Sequence, residues 1–139
     1  MFPDSARPLD PLAEHDTFRR GLDAYHRGAY FEAHEYWELI WRDEPDGPKR
    51  SFLQGLIQVA AALHKLGVMK SPTGAMRLFE RARVRLGEAR HGMFGVDIDT
   101  VIAGIDLALA ALPKLHVQGE QAGADIDPAF VPHIGAAPN

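Results

Sequence analysis

The sequence predicts an all-α fold: a compact bundle of about five helices, built from two tetratricopeptide-like helical hairpins and a capping helix. Five segments carry apolar residues every three or four positions, the spacing of the buried face of an amphipathic helix. No segment shows the alternation of apolar and polar residues that marks a half-buried strand. Short stretches rich in glycine, proline and aspartate separate the segments and are typical of turns.

The first predicted helix begins near Asp16, and the side chain of either Asp16 or Thr17 can cap it. Phe18 and Tyr25 lie on its apolar face, and Gly28 ends it. We interpret residues 1–14, which contain three prolines, as an extended N-terminal arm that precedes this helix.

The second and third helices are predicted over about 30–42 and 49–66, with a loop rich in proline, aspartate and glycine between them. Trp37 and Trp41 share the apolar face of the second helix, so we expect both to be core residues. The third helix is apolar on almost every side, which predicts a buried central helix.

The fourth helix is predicted over about 71–90 and the fifth from Asp99, its expected N-cap, to Leu112. Pro113 is expected to end the fifth helix. The residues that follow, 116–139, contain many glycines and prolines, and we interpret them as an irregular C-terminal tail that is dispensable for folding.

The chain has 139 residues, the size of a single domain with its own core, and the helical domain is expected to span 15–115. It contains no cysteine, which excludes disulfides, thiolate metal sites and a cysteine nucleophile. A net charge of −4 argues against a globally basic nucleic-acid-binding protein. The sequence shows neither a signal peptide nor a helix apolar enough for a bilayer. We therefore expect a cytoplasmic protein without a membrane segment.

A weak internal repeat supports the hairpin interpretation. Residues 28–45 follow the second half of a tetratricopeptide repeat, and Gly21 lies where the first helix of such a repeat needs a small side chain. A looser second copy includes Gly55 and Phe79. Two copies are fewer than the three that a solenoid needs, so we expect a compact bundle.

Polar residues on the second and third helices form the candidate ligand or metal cluster. The second helix presents carboxylates and one imidazole beside large aromatic side chains, and the third helix carries two glutamines one turn apart. A buried amide without a partner costs about 1–3 kcal/mol, and helices joined by a short loop pack antiparallel. We therefore expect the polar groups of the two helices to meet. The candidate residues are Glu32, His34, Glu35, Glu38, Gln54, Gln58 and His64.

Three interpretations of this cluster are open: a hydrogen-bond network that sets the register of the helices, a metal or small-ligand pocket, and a Glu–His acid–base pair. The chain has no HExxH, P-loop, GxGxxG or GxSxG motif. A di-iron bundle needs two Glu-x-x-His pairs, and only Glu88 and His91 have this spacing. The sequence therefore identifies no catalytic residue, cofactor or particular metal.

The fourth helix carries a stripe of three arginines, Arg77, Arg81 and Arg85, spaced by four residues. Such a stripe can contact phosphate or an acidic partner, but it is also typical of a solvated helix face. We favour the solvated face, because aromatic residues do not alternate with the arginines.

Two long motifs, EAHEYWELIW and LQGLIQVAAALH, resemble a prokaryotic family of small helical proteins, domain-of-unknown-function family 309. The resemblance covers about residues 15–102 and implies an all-helical domain without an established activity. The family's marked positions correspond to Glu32, His34, Glu35, Trp37, Glu38 and Trp41 on the second helix. On the third helix they correspond to Gln54, Gly55, Gln58 and His64.

The repeat-like hairpins favour a binding module for a protein partner or a small ligand. The next alternatives are a metal- or small-ligand-binding protein and a hydrolase-like enzyme, both of which would use the Glu/His/Gln cluster. A solvent-accessible pocket lined by the cluster would support the last two, whereas an open apolar groove would support a protein partner.

Overall fold

The computed structural model describes residues 9–117 and 127–136. Within these residues the chain forms α1 (Pro11–His26), α2 (Tyr30–Trp41), α3 (Pro48–Gly67), α4 (Pro72–Ala89) and α5 (Ile98–Val117). A short 3-10 helix, Pro128–Phe130, lies in what we call the C-terminal segment, residues 127–136. No strand occurs in either described range, and the helices pack around one apolar core, which confirms the all-α bundle.

α1 and α2 form the first hairpin, which closes on a glycine. A Cβ atom at Gly21 would lie 2.7 Å from Cδ1 of Trp37, so only glycine allows the two helices to approach this closely. Trp37 is fully buried, and its Nε1 donates a 3.2 Å hydrogen bond to the carbonyl of Phe18. The predictions for Gly21 and Trp37 are confirmed, whereas Trp41 is only partly buried at the edge of the core.

α3 is the central helix, as predicted, and α4 packs along it to form the second hairpin. Fully buried leucines and alanines occur on most sides of α3. Its contact with α4 also uses a glycine, because a Cβ atom at Gly55 would lie 2.7 Å from Cγ of Leu86. The side chain of Ser71 accepts a hydrogen bond from Gly74 N–H and caps α4.

The loop between α4 and α5 returns an aromatic ring to the core. Phe94 stacks on Phe18 with ring centroids 4.3 Å apart and an interplanar angle of 10°. Its backbone φ of 55° is unusual for a phenylalanine, and the stacking contact accompanies this conformation. The loop thereby connects the α1–α2 hairpin to the last helix.

The C-terminal segment also connects α1 to the start of α5. The Tyr25 hydroxyl donates a 2.7 Å hydrogen bond to the carbonyl of Pro132, and Asp97 N–H donates one of 2.7 Å to the carbonyl of Gly135. Ile134 is fully buried in the core. Burial raises the pKa of Tyr25 well above its usual range, so this hydroxyl remains a neutral donor near pH 7.

The first helix begins earlier than the sequence analysis expected. Pro11 is its first residue, and the side chain of Asp10 accepts a 2.8 Å hydrogen bond from Ala13 N–H. A proline at the first helical position sacrifices no hydrogen bond, which explains why the extended arm does not reach residue 14. The rest of that arm, residues 1–8, lies outside the described residues.

The fifth helix also extends further than expected. Asp99 lies inside it, and Asp97 instead accepts a 3.2 Å hydrogen bond from Thr100 N–H at the first turn. The helix continues past Pro113 to Val117, because proline removes a single intrahelical hydrogen bond and does not by itself end a helix.

Part of the predicted irregular tail packs against the bundle, and its being dispensable for folding stays a prediction. Phe130 and Val131 pack against the core beside the buried Ile134. Removing these apolar side chains from water stabilises the folded chain, although they occur among prolines and glycines with no helical period. Residues 118–126 and 137–139 of the tail lie outside the described residues.

Candidate functional site

The pairing of α2 with α3 determines which of the predicted site residues meet. At the end of α2 the Arg50 guanidinium lies over the Trp41 ring, 4.0 Å from its centroid. At the start of α2 the rings of Phe31 and His64 are 5.2 Å apart. The two helices therefore run antiparallel, as the short loop between them predicted.

A pocket of about 510 Å³, open to solvent, lies where the start of α2 meets the end of α3. The turn before α2 forms one part of its wall, and the two helices form the rest. Three of the predicted site residues contribute to this wall: Glu32, Glu35 and His64. The described residues that line it are Gly28, Ala29, Tyr30, Phe31, Glu32, Glu35, Tyr36, His64 and Val68.

Phe31 is the most unusual side chain of the pocket wall, because 52% of this large apolar residue is exposed. Its ring stacks with that of His34 at 5.7 Å and an interplanar angle of 17°, and it also contacts the ring of His64. The two imidazoles therefore support an aromatic face that remains accessible to a ligand.

Carboxylates supply the charge of the pocket. Glu32 forms a 2.8 Å ion pair with Arg27 at the exposed edge. Glu35 is partly buried, and among the described residues it makes no ion pair or side-chain hydrogen bond. No lysine or arginine is among the lining residues that the structure describes. Burial raises the pKa of Tyr30, so its hydroxyl is neutral beside these carboxylates.

The other predicted residues lie along the α2–α3 contact or on its edge. His34 Nε2 is 3.7 Å from a carboxylate oxygen of Glu38, one turn further along α2. No hydrogen bond within the described part of the chain joins Gln54 or Gln58 to α2. The structure thus brings Glu32, Glu35 and His64 together around a pocket, but it shows no direct hydrogen-bond network that includes Gln58.

Three buried polar atoms on α2 and α3 have no hydrogen-bond partner: His34 Nδ1, Trp41 Nε1 and Gln58 Oε1. Trp41 can only donate and the amide oxygen can only accept, so a bridging water could satisfy atoms of both kinds.

The described residues contain no group of three or more His, Asp or Glu side chains placed to hold a metal ion. In the same part of the chain, no helix combines the length and the apolar character needed to cross a membrane.

The arginine stripe of α4 lies away from the pocket. Arg77 and Arg81 are exposed, and Arg85 forms a 3.2 Å ion pair with Glu88 on the same helix. The neighbouring Arg83 binds Asp106 of α5 at 2.6 Å, and this contact lowers the pKa of the aspartate. These contacts are those of a solvated helix face that holds α4 against α5.

Sequence analysis missed the aromatic and apolar part of the pocket wall. Phe31 lies off the apolar stripe that contains Trp37, which could have indicated an exposed aromatic side chain. Val68 follows the end of α3 and carries no comparable signal. Tyr36 also lines the pocket, and it interacts with Arg20 of α1.

Comparison with protein-family models matches residues 18–78 to the Domain of unknown function (DUF309). This range begins in α1, includes all of α2 and α3, and ends in α4, so it contains the whole pocket wall. Comparison with curated proteins finds no match to the chain. The similarity to the domain-of-unknown-function family 309 therefore covers residues 18–78 of this chain.

Proposed function

We propose that this protein is a binding module whose ligand, a small molecule, enters the pocket between the start of α2 and the end of α3. The observation that carries the proposal is the half-exposed Phe31 ring, held by two imidazoles at the wall of an open pocket. Pockets of several hundred Å³ with aromatic walls and a few polar groups are typical small-molecule sites.

The rim of the pocket supports the same proposal. Val68 is 67% exposed although it is apolar, and it lines the pocket together with Phe31. A ligand that covers both side chains would remove apolar surface from water, which favours binding. The protein partner also expected from the sequence would have to cover a much larger area than this rim.

A hydrolase-like enzyme is the second candidate, because Glu35 and His64 line the same pocket. Either side chain can act as a general acid or base toward a bound water. The described lining residues include no serine, threonine or lysine, and the chain contains no cysteine, so a covalent step would have to use a carboxylate, a tyrosine or the imidazole. Binding therefore requires fewer additional assumptions than catalysis.

The test is a substitution that fills the pocket. Val68→Trp places a large ring at its mouth, and Leu107→Trp is the matched control, because Leu107 on α5 is equally exposed at 67%. Each variant and the parent protein are titrated with a chemically mixed set of small molecules, and backbone amide shifts are followed by NMR. We expect the parent and Leu107→Trp to show ligand-dependent shifts at residues 28–36 and 64–68, and Val68→Trp to lose them.

Two results would contradict the proposal. One is the absence of ligand-dependent shifts around the pocket for every class of molecule in the set. The other is equal binding by Val68→Trp and the parent, which would place the ligand elsewhere. Conversion of a bound molecule, followed in the same NMR samples, would favour the hydrolase-like alternative.

A further inference from the structure

The charge of the pocket is unbalanced. Among the described residues of its wall, two carry carboxylates and none is a lysine or arginine. Arg27 already neutralises Glu32 at the exposed edge, whereas Glu35 has no cationic partner among the described residues. Glu35 is also only partly exposed, so a cation that reached it would be screened less by water than one on the open surface.

The aromatic side chains of the wall also favour a cation. The face of an aromatic ring carries negative electrostatic potential and attracts ammonium and guanidinium groups. Phe31 offers an accessible ring, and Tyr30 and Tyr36 also line the pocket. Carboxylate and ring are on the same helix, because Phe31 and Glu35 are one turn apart on α2.

Two surface depressions along α1 differ from the pocket in the balance of their charges. One is lined by Leu12, His15, Asp16, Arg19, Arg20 and Asp23, and the other also includes Asp16 and Arg20. There the charges neutralise each other, since Arg20 and Asp16 form a 3.0 Å ion pair. The pocket at Glu35 therefore retains a negative charge that its own wall does not satisfy.

From this arrangement we infer that the pocket binds a small organic cation, a primary amine or a guanidine on a short apolar stem. This inference rests on the proposed function. The cationic group would lie between the Glu35 carboxylate and the Phe31 ring. Its stem would lie toward Ala29 and Val68, which supply the apolar part of the wall.

The first experiment compares probes of one size and different charge. Butylammonium and butylguanidinium are the cations, 1-butanol is the neutral control, and butyrate is the anionic control. Each is titrated into the full chain in the millimolar range, and amide shifts at residues 28–36 and 64–68 give its Kd. We expect both cations to bind at least about tenfold more tightly than 1-butanol, and butyrate to bind most weakly.

The second experiment changes the charge of single side chains of the protein. Glu35→Gln keeps the shape of the side chain and removes its charge, so it should weaken the binding of butylammonium about tenfold and leave that of 1-butanol unchanged. Glu80→Gln is the matched control, because it changes the net charge equally at an exposed position of α4. Val68→Lys should also weaken the binding of the cations by placing an ammonium group at the pocket, whereas Leu107→Lys should not.

The outcomes separate this inference from the proposed function. If 1-butanol or butyrate bound at the same amides as tightly as the cations or more tightly, the inference of a cationic ligand would be wrong. The proposed binding module would be unaffected. If Glu35→Gln and Glu80→Gln weakened the binding of butylammonium equally, the inference of a cation at Glu35 would also be wrong, since this result would show only an effect of net charge. If no molecule shifts the pocket amides, both proposals are wrong. Binding of a blocked lysine tripeptide much more tightly than butylammonium would replace the small molecule by a protein side chain.

Discussion

The two helical hairpins close in the same way and differ in what their glycines contact. In the first hairpin Gly21 lies against the indole of Trp37, a rigid ring whose Nε1 is hydrogen-bonded to a backbone carbonyl. In the second hairpin Gly55 lies against Leu86, an aliphatic side chain with rotatable bonds. Close approach of helices requires a small residue in both cases, but only the first contact also fixes the orientation of its partner.

This difference corresponds to the roles of the two hairpins. α2 supplies most of the pocket wall, and α1 holds α2 through Trp37 and receives the C-terminal segment through Tyr25. The α3–α4 contact is apolar and supplies the core against which the first hairpin packs. Directional hydrogen bonds thus accompany the part of the molecule that positions the candidate site.

The largest effect on stability is expected when the indole ring of Trp37 is removed. Trp37→Ala should lower the free energy of unfolding by about 3–5 kcal/mol, because a fully buried ring is lost and the Phe18 carbonyl loses its donor. Leu86→Ala in the second hairpin should also lower the free energy of unfolding, by a smaller amount that lies in the range of about 2–5 kcal/mol typical of such changes. Urea denaturation followed by circular dichroism measures both, and a greater loss for Leu86→Ala would reverse the comparison.

The next test concerns the C-terminal segment that holds α1. Ile134→Ala should destabilise the protein by about 2–5 kcal/mol, because this side chain is fully buried although it lies outside the five helices. His133→Ala, at the exposed neighbouring position, should have little effect on stability. Thermal melts of both variants decide the matter. An unchanged melting temperature for Ile134→Ala would support the prediction from the sequence that the tail is dispensable.

The smallest effects compare the glycines themselves. Gly21→Ala should cost about 1–3 kcal/mol, since the new methyl meets a ring that cannot rotate away. Gly55→Ala should cost less, because the Leu86 side chain can adjust. Gly87→Ala on α4 is the control: no atom lies near its Cβ position, so it should stabilise by about 0.4–1 kcal/mol. Equal costs at Gly21 and Gly55 would show that the rigid ring has no special effect.

Local patterns were sufficient for the helices but not for all their ends. The period of apolar residues predicted five helices, and proline was given too much weight as a terminator at Pro11 and Pro113. A proline in the first turn loses no hydrogen bond, and one further along a helix removes a single bond that other contacts can offset. Helix ends therefore depend on the energy of the whole helix more than on one residue type.

The candidate site was predictable in part for a similar reason. Glu32, Glu35 and His64 line one pocket, because helix spacing and the short loop place them at one end of the antiparallel pair. Gln54 and Gln58 were expected to form hydrogen bonds with α2. Such contacts depend on the exact rotation of each helix about its axis, which the sequence does not predict. The same limit hid Phe31 and Val68 as parts of the wall.

By itself the sequence determined the all-helical class, the central position of α3, the small residue under Trp37, and the pairing of α2 with α3. These features follow from periodicity, residue size and loop length, which act within a few residues of chain. Only the tertiary structure decided that Ile134 is buried, that Tyr25 bonds to Pro132, and that Phe31 remains exposed beside two imidazoles. Tyr25 and Pro132, like Phe31 and His64, are far apart in the chain, so these contacts depend on the packing of several elements at once.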